Sequence, residues 1–239
     1  AKLLNSNIFI NKQVNNKIRD KIESSLEKNT SNKYFFGKDF NIGKSENGFI
    51  QYQDQLGELV LPEPSILGDH QLYNISTSIA ASRKIFNIKD EHVANGIKNI
   101  SLRARLEEIK SGKLKAIAGN NRLFVDGGHN ISASLSIANW VKNQNEEVNL
   151  IVGMMIDKEH IEFIKAFRNN VNSITLIDIP HQEGSISKEN LKKKLDNLKL
   201  NLKLSNGIEE SIKSLSKNQN SIILCLGSLY LAGEILSLN

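Results

Sequence analysis

The spacing of apolar residues over the first hundred positions predicts small, mixed elements. A short strand is predicted at 7–10, and apolar side chains four residues apart from Val14 to Leu26 predict an amphipathic helix. Short β-like runs separated by Gly, Asn and Asp predict an antiparallel meander, with strands at 33–36, 40–42, 49–52 and 58–61. Beyond Pro62 and Pro64 the period becomes helical, and helices are predicted at about 69–86 and 89–97.

From about residue 101, predicted strands and helices alternate. The first feature is a hairpin signal, with strands at 114–118 and 123–125 around Gly119-Asn120-Asn121. Further strands are predicted at 148–152, 174–177 and 222–226, and helices at 131–141, 158–167, 188–198, 208–215 and 228–236. Such alternation is typical of a mainly parallel sheet with helices on both faces. The predicted fold class is therefore α/β, with helices and a small antiparallel sheet followed by a Rossmann-like domain.

The composition is that of an ordinary globular protein: 239 residues, 39% hydrophobic and 24% charged, with a mean hydropathy of -0.32. No run approaches the roughly 20 apolar residues of a membrane span, and no secretory signal is recognisable. We therefore predict a cytoplasmic protein without membrane contact. The single Cys225 excludes an internal disulfide, and its apolar surroundings favour a buried, unreactive thiol.

A net charge of +5 and a pI near 9.1 raise the question of nucleic-acid binding. The lysines are scattered among acidic residues, and the densest run, at 192–194, falls in a helical pattern typical of a solvated face. Only Trp140 and four tyrosines are present, without the interleaving of aromatic and basic residues that single-strand binding uses. We predict no nucleic-acid partner.

The strongest candidate site is the stretch at 123–130, where an apolar strand ends in Asp126-Gly127-Gly128-His129-Asn130 and a helix follows. Glycines allow close ligand approach, and a helix N-terminus offers unpaired N–H groups to an anion. Two further loops follow predicted strands, at 153–158 and at Gly227-Ser228. Because ligands bind at the carboxyl ends of parallel strands, we expect these loops to share a cleft. The alternative is a tight turn in which Asp126 and Asn130 only cap the backbone.

Two other patterns indicate no site. The stretch from Gly37 to Ser45 resembles a phosphate-binding P-loop, but five residues separate its glycines where the motif requires four. The histidines have no spacing suited to a metal cluster, and we predict no intrinsic metal site: His70, His92, His160 and His181.

Five motifs, in order along the chain, together resemble the folylpolyglutamate synthase and dihydrofolate synthase family, members of the Mur-type amide ligases. They are His70-Gln71 with Asn74 and Ala80-Ala81; Arg105-Leu106-Glu107; Asp126-Gly127-Gly128-His129-Asn130; Gly153-Met154-Met155 with Asp157-Lys158; and Gly227-Ser228-Leu229-Tyr230-Leu231. The chain departs from the family where Leu102-Arg103-Ala104-Arg105 replaces Trp-Pro-Gly-Arg, which puts the geometry of this hinge in doubt. Gly128 and Ile131 also replace the usual Ala and Pro.

The resemblance implies a division into three parts. Residues 1–101 correspond to the C-terminal part of the central ATP-binding domain, 102–107 to a linker, and 108–239 to the C-terminal Mur-ligase-type domain. The P-loop and the Mg²⁺ ligands of the family precede the region matched. The chain is therefore expected to be a fragment or a stand-alone piece, and the isolated 239 residues are expected not to turn over ATP.

The implied reaction is ATP-dependent amide formation, in which a pterin-linked carboxylate is phosphorylated and the amine of L-glutamate attacks the acyl phosphate. The implied substrates are ATP with Mg²⁺, L-glutamate and dihydropteroate or folate, and a monomer is expected. The resemblance assigns ATP contacts to Asn74, Arg105 and Asp126, with Asp126 on the ribose or steering Arg105. It assigns glutamate contacts to His129, Ser228 and Tyr230, with His129 also able to take the amine proton. Lys158 is a candidate phosphate-side cation.

Each assignment has a plainer alternative. Arg105 could pair with Glu107 or Glu108, and Asn74 could lie on a helix surface. His129 could make only a hydrogen bond at a helix terminus, Ser228 could be an N-cap, and Lys158 could be a surface lysine. At the level of the whole protein, the alternatives are another Mur-type amino-acid ligase and a non-catalytic nucleotide-binding or regulatory module. Dihydrofolate synthesis, polyglutamylation and the combination of both stay open.

Overall fold

The computed structural model describes residues 6–13, 15–45, 47–64, 66, 68–86, 88–217 and 220–239. The chain divides into two compact units, Ala1–Ser101 and Leu102–Asn239. Each unit is described by itself below. No helix among the described residues is long and apolar enough to cross a membrane.

The first unit begins with a parallel pair of strands, β1 (Asn7–Ile10) and β2 (Asn32–Phe35), joined by helix α1 (Asn16–Leu26). The side chain of Asn15 caps α1 by accepting a hydrogen bond from the N–H of Ile18 at 3.0 Å. The prediction that residues 33–36 belong to the meander is wrong, because the intervening helix returns the chain beside β1 in the same direction. Val14, the predicted first residue of the helix pattern, lies outside the described residues.

The antiparallel meander consists of three strands, β3 (Phe40–Lys44), β4 (Ile50–Asp54) and β5 (Gly57–Leu61). Its buried face carries alternate apolar residues and packs on helices α2 (Asp69–Ile85) and α3 (Asp90–Lys98) through Ile75, Ile79, Val93 and Ile97. The stretch that resembles a P-loop includes β3, so it is part of this sheet and not a loop between a strand and a helix.

The second unit contains a six-stranded sheet with the order β10-β9-β8-β11-β7-β6. All neighbours are parallel except β6, which is antiparallel to β7. The strands are β6 (Glu107–Ile109), β7 (Arg122–Val125), β8 (Val148–Val152), β9 (Ser173–Leu176), β10 (Leu202–Leu204) and β11 (Ile222–Leu226). The predicted α/β class with a mainly parallel sheet is confirmed.

Helices cover both faces of this sheet, and each face has its own apolar core. They are α4 (Lys113–Ala118), α5 (Ile131–Lys142), α6 (His160–Lys165), α7 (Lys188–Leu195, followed by a 3₁₀ turn at Asp196–Leu198), α8 (Ile208–Leu215) and α9 (Leu229–Leu238). Cys225 is fully buried on one face, and burial raises the pKa of its thiol to about 12, so the thiol is protonated and unreactive at neutral pH.

The predicted hairpin around Gly119-Asn120-Asn121 is wrong in its first arm, because residues 113–118 form helix α4. Leu114 and Ala118 are one helical turn apart, and both are fully buried. Gly119 ends the helix with a φ of 61° and donates its N–H to the carbonyl of Lys115 at 3.2 Å. The antiparallel partner of β7 is instead β6, a three-residue strand that the apolar pattern did not reveal.

Candidate functional site

The three loops predicted as a site lie side by side, because β11 is hydrogen-bonded to β7 on one edge and to β8 on the other. The N–H of Gly227 donates to the carbonyl of Gly128 at 3.0 Å, and the N–H of Gly153 donates to the carbonyl of Leu226 at 3.4 Å. Gly227 has a φ of 110°, and a Cβ built on it would lie 2.7 Å from the carbonyl oxygen of Gly153. Glycine is therefore required where these backbones meet.

The carboxylate of Asp126 accepts hydrogen bonds from backbone N–H groups of the site. Its side chain is buried, with 4% exposure; Oδ1 accepts a hydrogen bond from the N–H of Gly128 at 2.6 Å and Oδ2 accepts one from the N–H of Leu106 at 2.7 Å. The first bond closes the turn after β7, and the second ties this turn to the segment before β6. Asp126 therefore accepts backbone N–H groups in a tight turn, which are the contacts that the alternative to a ligand site predicts. Its contact with a nucleotide ribose stays a prediction.

Arg105 lies in an unusual turn. Its neighbours Ala104 and Leu106 have φ values of 55° and 45°, in the left-handed region that residues other than glycine rarely adopt. The N–H of Ala104 donates to Oε2 of Glu107 at 2.7 Å, and the carbonyl of Ala104 accepts from the N–H of Gly127 at 2.9 Å. This geometry answers the question raised by the loss of the family's glycine, because Ala104 occupies the conformation that a glycine would adopt freely.

The alternative that Arg105 pairs with an adjacent carboxylate is wrong among the described residues. Glu107 pairs with Arg103 at 2.8 Å, and Glu108 pairs with Arg122 at 3.0 Å. Nη1 of Arg105 instead lies 3.4 Å from a Cβ built on Gly127, beside the turn that follows β7. The guanidinium is therefore placed at the same sheet edge as the three loops, with both neighbouring carboxylates occupied elsewhere.

His129 is partly buried and has a defined ring orientation. Its Nδ1 lies 2.9 Å from the carbonyl oxygen of Gly127 and donates to it, which leaves Nε2 as the acceptor nitrogen of the neutral ring. The next residue, Asn130, caps α5 by accepting from the N–H of Ala133 at 2.9 Å. An imidazole acceptor and a helix N-terminus thus occur together at the end of β7.

Ser228 and Tyr230 begin the helix that follows β11. Ser228 is 2% exposed, and its Oγ accepts a hydrogen bond from the N–H of Tyr230 at 3.1 Å, so the N-cap alternative is observed. Capping uses the hydroxyl as an acceptor and leaves its proton able to donate. Tyr230 is 54% exposed, which suits contact with a ligand. Leu229 packs against Gly127, and a Cβ there would overlap its side chain.

The loop after β8 carries Asp157 and Lys158, whose side chains pair at 2.8 Å. The hydrogen bond from Lys158 is the main cause that holds the pKa of Asp157 below its usual value. The loop after β8 is joined to the end of β11 by the hydrogen bond from Gly153 to Leu226. Whether Lys158 serves a phosphate stays a prediction.

The side chain of His160 also contacts the loop after β8. The Nε2 of His160 donates to the carbonyl of Met155 at 3.0 Å, and its Nδ1 lies 3.5 Å from Nζ of Lys194 on α7. An isolated β-bridge between Met155 and Ser185 fixes the loop on its other side. His160 is 3% exposed, and burial is the main cause that lowers its pKa below the usual value, so the ring is neutral at pH 7.

This burial predicts an acid sensitivity of the second unit. In the unfolded chain His160 gains a proton as pH falls through about 6.5, whereas the folded chain resists protonation until lower pH. The free energy of unfolding should therefore decrease below about pH 6.5, and this contribution should stop growing below the folded pKa. Urea unfolding followed by the fluorescence of Trp140, at a series of pH values, measures the effect.

A matched pair of variants isolates the histidine responsible. His160→Gln should lose this part of the pH dependence, whereas His181→Asn, at an exposed position with a φ of 56°, should keep it. Equal pH dependence in His160→Gln and the unmodified protein would show that His160 is not the group that resists protonation.

Asn74 belongs to the first unit, on an exposed part of α2. Its Oδ1 accepts from Nδ2 of Asn11 at 2.9 Å, and its Nδ2 donates to Oε1 of Gln71 at 3.2 Å. Asn74 is thus part of a short chain of side-chain amides, and its approach to adenine stays a prediction. The side chain of His70, the first residue of that motif, lies outside the described residues.

The second unit has the fold of a Mur-ligase-type C-terminal domain, with glycine loops, a histidine and a serine at the centre of the carboxyl edge. Residues 110–238, more than half of the chain, match the family described as dihydrofolate synthetase, C-terminal domain. The chain therefore belongs to the dihydrofolate synthetase family, as a C-terminal portion.

Individual relatives agree with this family. The probable dihydrofolate synthetase of Schizosaccharomyces pombe is 23% identical over 241 residues, which is 91% of this chain and 54% of the relative. The folylpolyglutamate synthase of Mycobacterium tuberculosis, solved with ADP and AMPPCP, superposes with a TM-score of 0.82 at 17% identity over all of this chain and 56% of that one. E. coli FolC, solved with DHPP and ADP, superposes with a TM-score of 0.75 at 17% identity, over 91% of this chain and 50% of that one. The chain thus spans about half the length of these relatives.

Sequence reasoning missed the residues that shape the turn around Arg105. The sequence identified Glu107 only as part of a motif and as a possible ion-pair partner of Arg105, and not as the acceptor of the Ala104 N–H. The hydrogen bond from Leu106 to Asp126 joins residues 20 apart in the chain, which local patterns do not predict. The available signal was the family's glycine at the position of Ala104, since a glycine in a fixed place often marks a positive φ. The motif letters Arg105-Leu106-Glu107 thus describe one turn.

Proposed function

We propose that this protein works as an ATP-dependent amide ligase that joins L-glutamate to dihydropteroate or folate through an acyl phosphate. The observation that carries the proposal is the meeting of the loops after β7, β8 and β11, which brings His129, Ser228 and Arg105 to one edge of the sheet. The family assignment and the likeness to structures solved with ADP support the reaction class. The S. pombe relative, by its name, supports the dihydrofolate branch.

The glutamate subsite is proposed at the starts of α5 and α9. Both helices begin at this edge and direct backbone N–H groups outward, which favours the carboxylates of an amino acid. The Nε2 of His129 can take the proton that the glutamate amine loses as it attacks, because Nδ1 donates to the carbonyl of Gly127 and leaves Nε2 as the acceptor. Ser228 can donate to a carboxylate, and the exposed ring of Tyr230 can cover the bound substrate.

The nucleotide side of the proposal uses Arg105, with Asp126 acting through the turn it holds. A guanidinium makes bidentate contacts with phosphate oxygens and stays charged at all physiological pH values. Lys158 adds a second cation on the loop after β8, and Asn74 is the adenine contact implied by the family. The cations of Arg105 and Lys158 would stabilise the charge that develops as the γ-phosphoryl group moves to the carboxylate.

Mg²⁺ accompanies ATP in this proposal and supplies charge neutralisation on the phosphates. The part of the chain that the structure describes brings no three His, Cys, Asp or Glu side chains together around a possible ion. Magnesium at phosphate sites is held by one or two carboxylates together with substrate phosphates, and we give none of the described residues that role.

The assignment of Arg105 predicts a nucleotide-specific defect. In the protein expressed from its complete reading frame, Arg105→Ala should raise the KM for ATP by about tenfold or more, because a charge-assisted bidentate contact contributes at least about 1.5 kcal/mol. The KM for the pterin substrate should change little. Steady-state kinetics with each substrate varied in turn measure both.

The control for charge is Arg168→Ala, since Arg168 is exposed and lies between α6 and β9, at the opposite edge of the sheet from the three loops. That variant should keep the KM for ATP close to that of the unmodified protein. Normal ATP kinetics in Arg105→Ala would remove Arg105 from the nucleotide site.

A further inference from the structure

The turn at residues 104–106 is strained and buried. Ala104 and Leu106 both have positive φ, and their side chains are only 5% and 2% exposed. Left-handed conformations cost L-residues roughly 1–2 kcal/mol each, so this turn persists only if its surroundings hold it. Between these two residues lies Arg105, whose side-chain direction depends on both strained backbones.

Glu107 is well placed to hold the turn. It is the first residue of β6 and lies opposite Val125 of β7, so its backbone is fixed by the sheet. Its Oε2 accepts the N–H of Ala104 at 2.7 Å, a short, charge-assisted hydrogen bond at a part-buried position. Loss of this acceptor would leave the Ala104 N–H without its partner and would favour relaxation of φ to negative values.

The other oxygen of Glu107 explains why Arg105 is not neutralised by it. Oε1 accepts from Nε of Arg103 at 2.8 Å, so the carboxylate is engaged on both sides, by Arg103 and by the backbone of Ala104. Arg105 makes no ion pair among the described residues; its Nη1 lies 3.5 Å from the carbonyl oxygen of Ala104 and beside Gly127. Glu107 therefore acts on Arg105 through the backbone of the turn and does not pair with its guanidinium.

We propose that Glu107 is a positioning residue that holds the Ala104–Leu106 turn in its left-handed conformation and thereby directs the guanidinium of Arg105 toward a polyphosphate. The part that concerns polyphosphate rests on the proposed function; the part that concerns the turn does not. Asp126 and Gly127 hold the far side of the turn, through the N–H of Leu106 and the carbonyl of Ala104.

The first measurement reads the turn directly. Hydrogen exchange of the Ala104 amide in this 239-residue chain should accelerate by about tenfold in Glu107→Ala, and by less than about threefold in Glu107→Gln, which keeps an acceptor oxygen. Glu108→Ala is the matched control, because Glu108 is the next residue of β6 and pairs with Arg122 instead. It should leave the Ala104 amide unchanged.

The second measurement reads function in the protein from its complete reading frame. Glu107→Ala should raise the KM for ATP by about tenfold with little change in kcat, and Glu107→Gln should restore most of the affinity. Adding Ala104→Gly to Glu107→Ala should also recover affinity, because glycine adopts a φ of 55° without strain. This double variant serves as the folded form if Glu107→Ala alone does not fold.

The outcomes separate the two proposals. If Arg105→Ala raises the KM for ATP while Glu107→Ala changes neither that KM nor the exchange of the Ala104 amide, the positioning role is wrong. If Arg105→Ala leaves the KM unchanged, the nucleotide assignment of the proposed function fails. In that case the exchange of the Ala104 amide alone decides whether Glu107 holds the turn. Equal acceleration of this exchange in Glu107→Gln and Glu107→Ala would overturn the positioning role of Glu107.

Discussion

Asp126→Ala should lower the free energy of unfolding of the second unit by about 3 kcal/mol. The carboxylate is 4% exposed and accepts hydrogen bonds from the N–H groups of Gly128 and Leu106, at 2.6 and 2.7 Å. Alanine would leave two buried donors without this acceptor, and each such donor costs about 1–3 kcal/mol. Asp126→Asn keeps one acceptor oxygen and should cost less. Urea unfolding followed by the fluorescence of Trp140 measures the loss of stability. The ring centroids of Trp140 and Phe124 are 4.9 Å apart at the core of this unit.

Asp178→Ala is the matched control for this prediction. Asp178 also follows a strand of the same sheet and accepts a backbone N–H, that of Lys188 at 2.8 Å, but its side chain is 49% exposed. Water can replace the lost acceptor there, so the expected cost is below about 1 kcal/mol. If Asp126→Ala costs no more than Asp178→Ala, the turn around Arg105 does not depend on a buried carboxylate.

Gly227→Ala should be at least as damaging, with an expected loss of about 3–4 kcal/mol. The φ of 110° at this position is strained for any residue with a Cβ. The new Cβ would also lie 2.7 Å from the carbonyl oxygen of Gly153, which is backbone at the end of a neighbouring strand and cannot rotate away. The same unfolding experiment applies, and activity should fall together with stability because the two loops would separate.

Gly233→Ala provides the opposite result with the same chemical change. Gly233 is exposed in the interior of α9, and a Cβ there meets nothing within 4 Å. Alanine should therefore raise stability by about 0.5–1 kcal/mol through helix propensity. A similar effect of alanine at both positions would contradict the close packing of the loops after β8 and β11.

Local patterns predicted the second unit better than the first. The strand β11 is a continuous apolar run, β8 is apolar except for Asn149, and α8 has a clear helical period, so local sequence is sufficient to identify them. The segment at 114–118 was assigned to the wrong class because a short, mostly apolar segment before glycine and asparagine suits either a strand or a helix. The pairing of β2 with β1 depends on contacts 25 residues apart, which apolar patterns do not encode.

The candidate site also combines features that the sequence predicts with features that depend on contacts distant in the chain. The expectation that the loops at 126–130, 153–158 and 227–228 converge rested on the general geometry of parallel sheets, and the sheet order β8-β11-β7 agrees with it. The partners of Asp126 could not be predicted, because Leu106 reaches it only after β6 pairs with β7. The positive φ of Ala104 could not be read from its residue type, since alanine rarely adopts it.

The most direct test of the account is ADP formation by the protein from its complete reading frame, with dihydropteroate or folate present, in the presence and absence of L-glutamate. We expect ADP to form together with an equal amount of amide product, and both to require glutamate. Nucleotide binding without any ADP formation, or ADP formation with glutamate but without a glutamylated product, would contradict it.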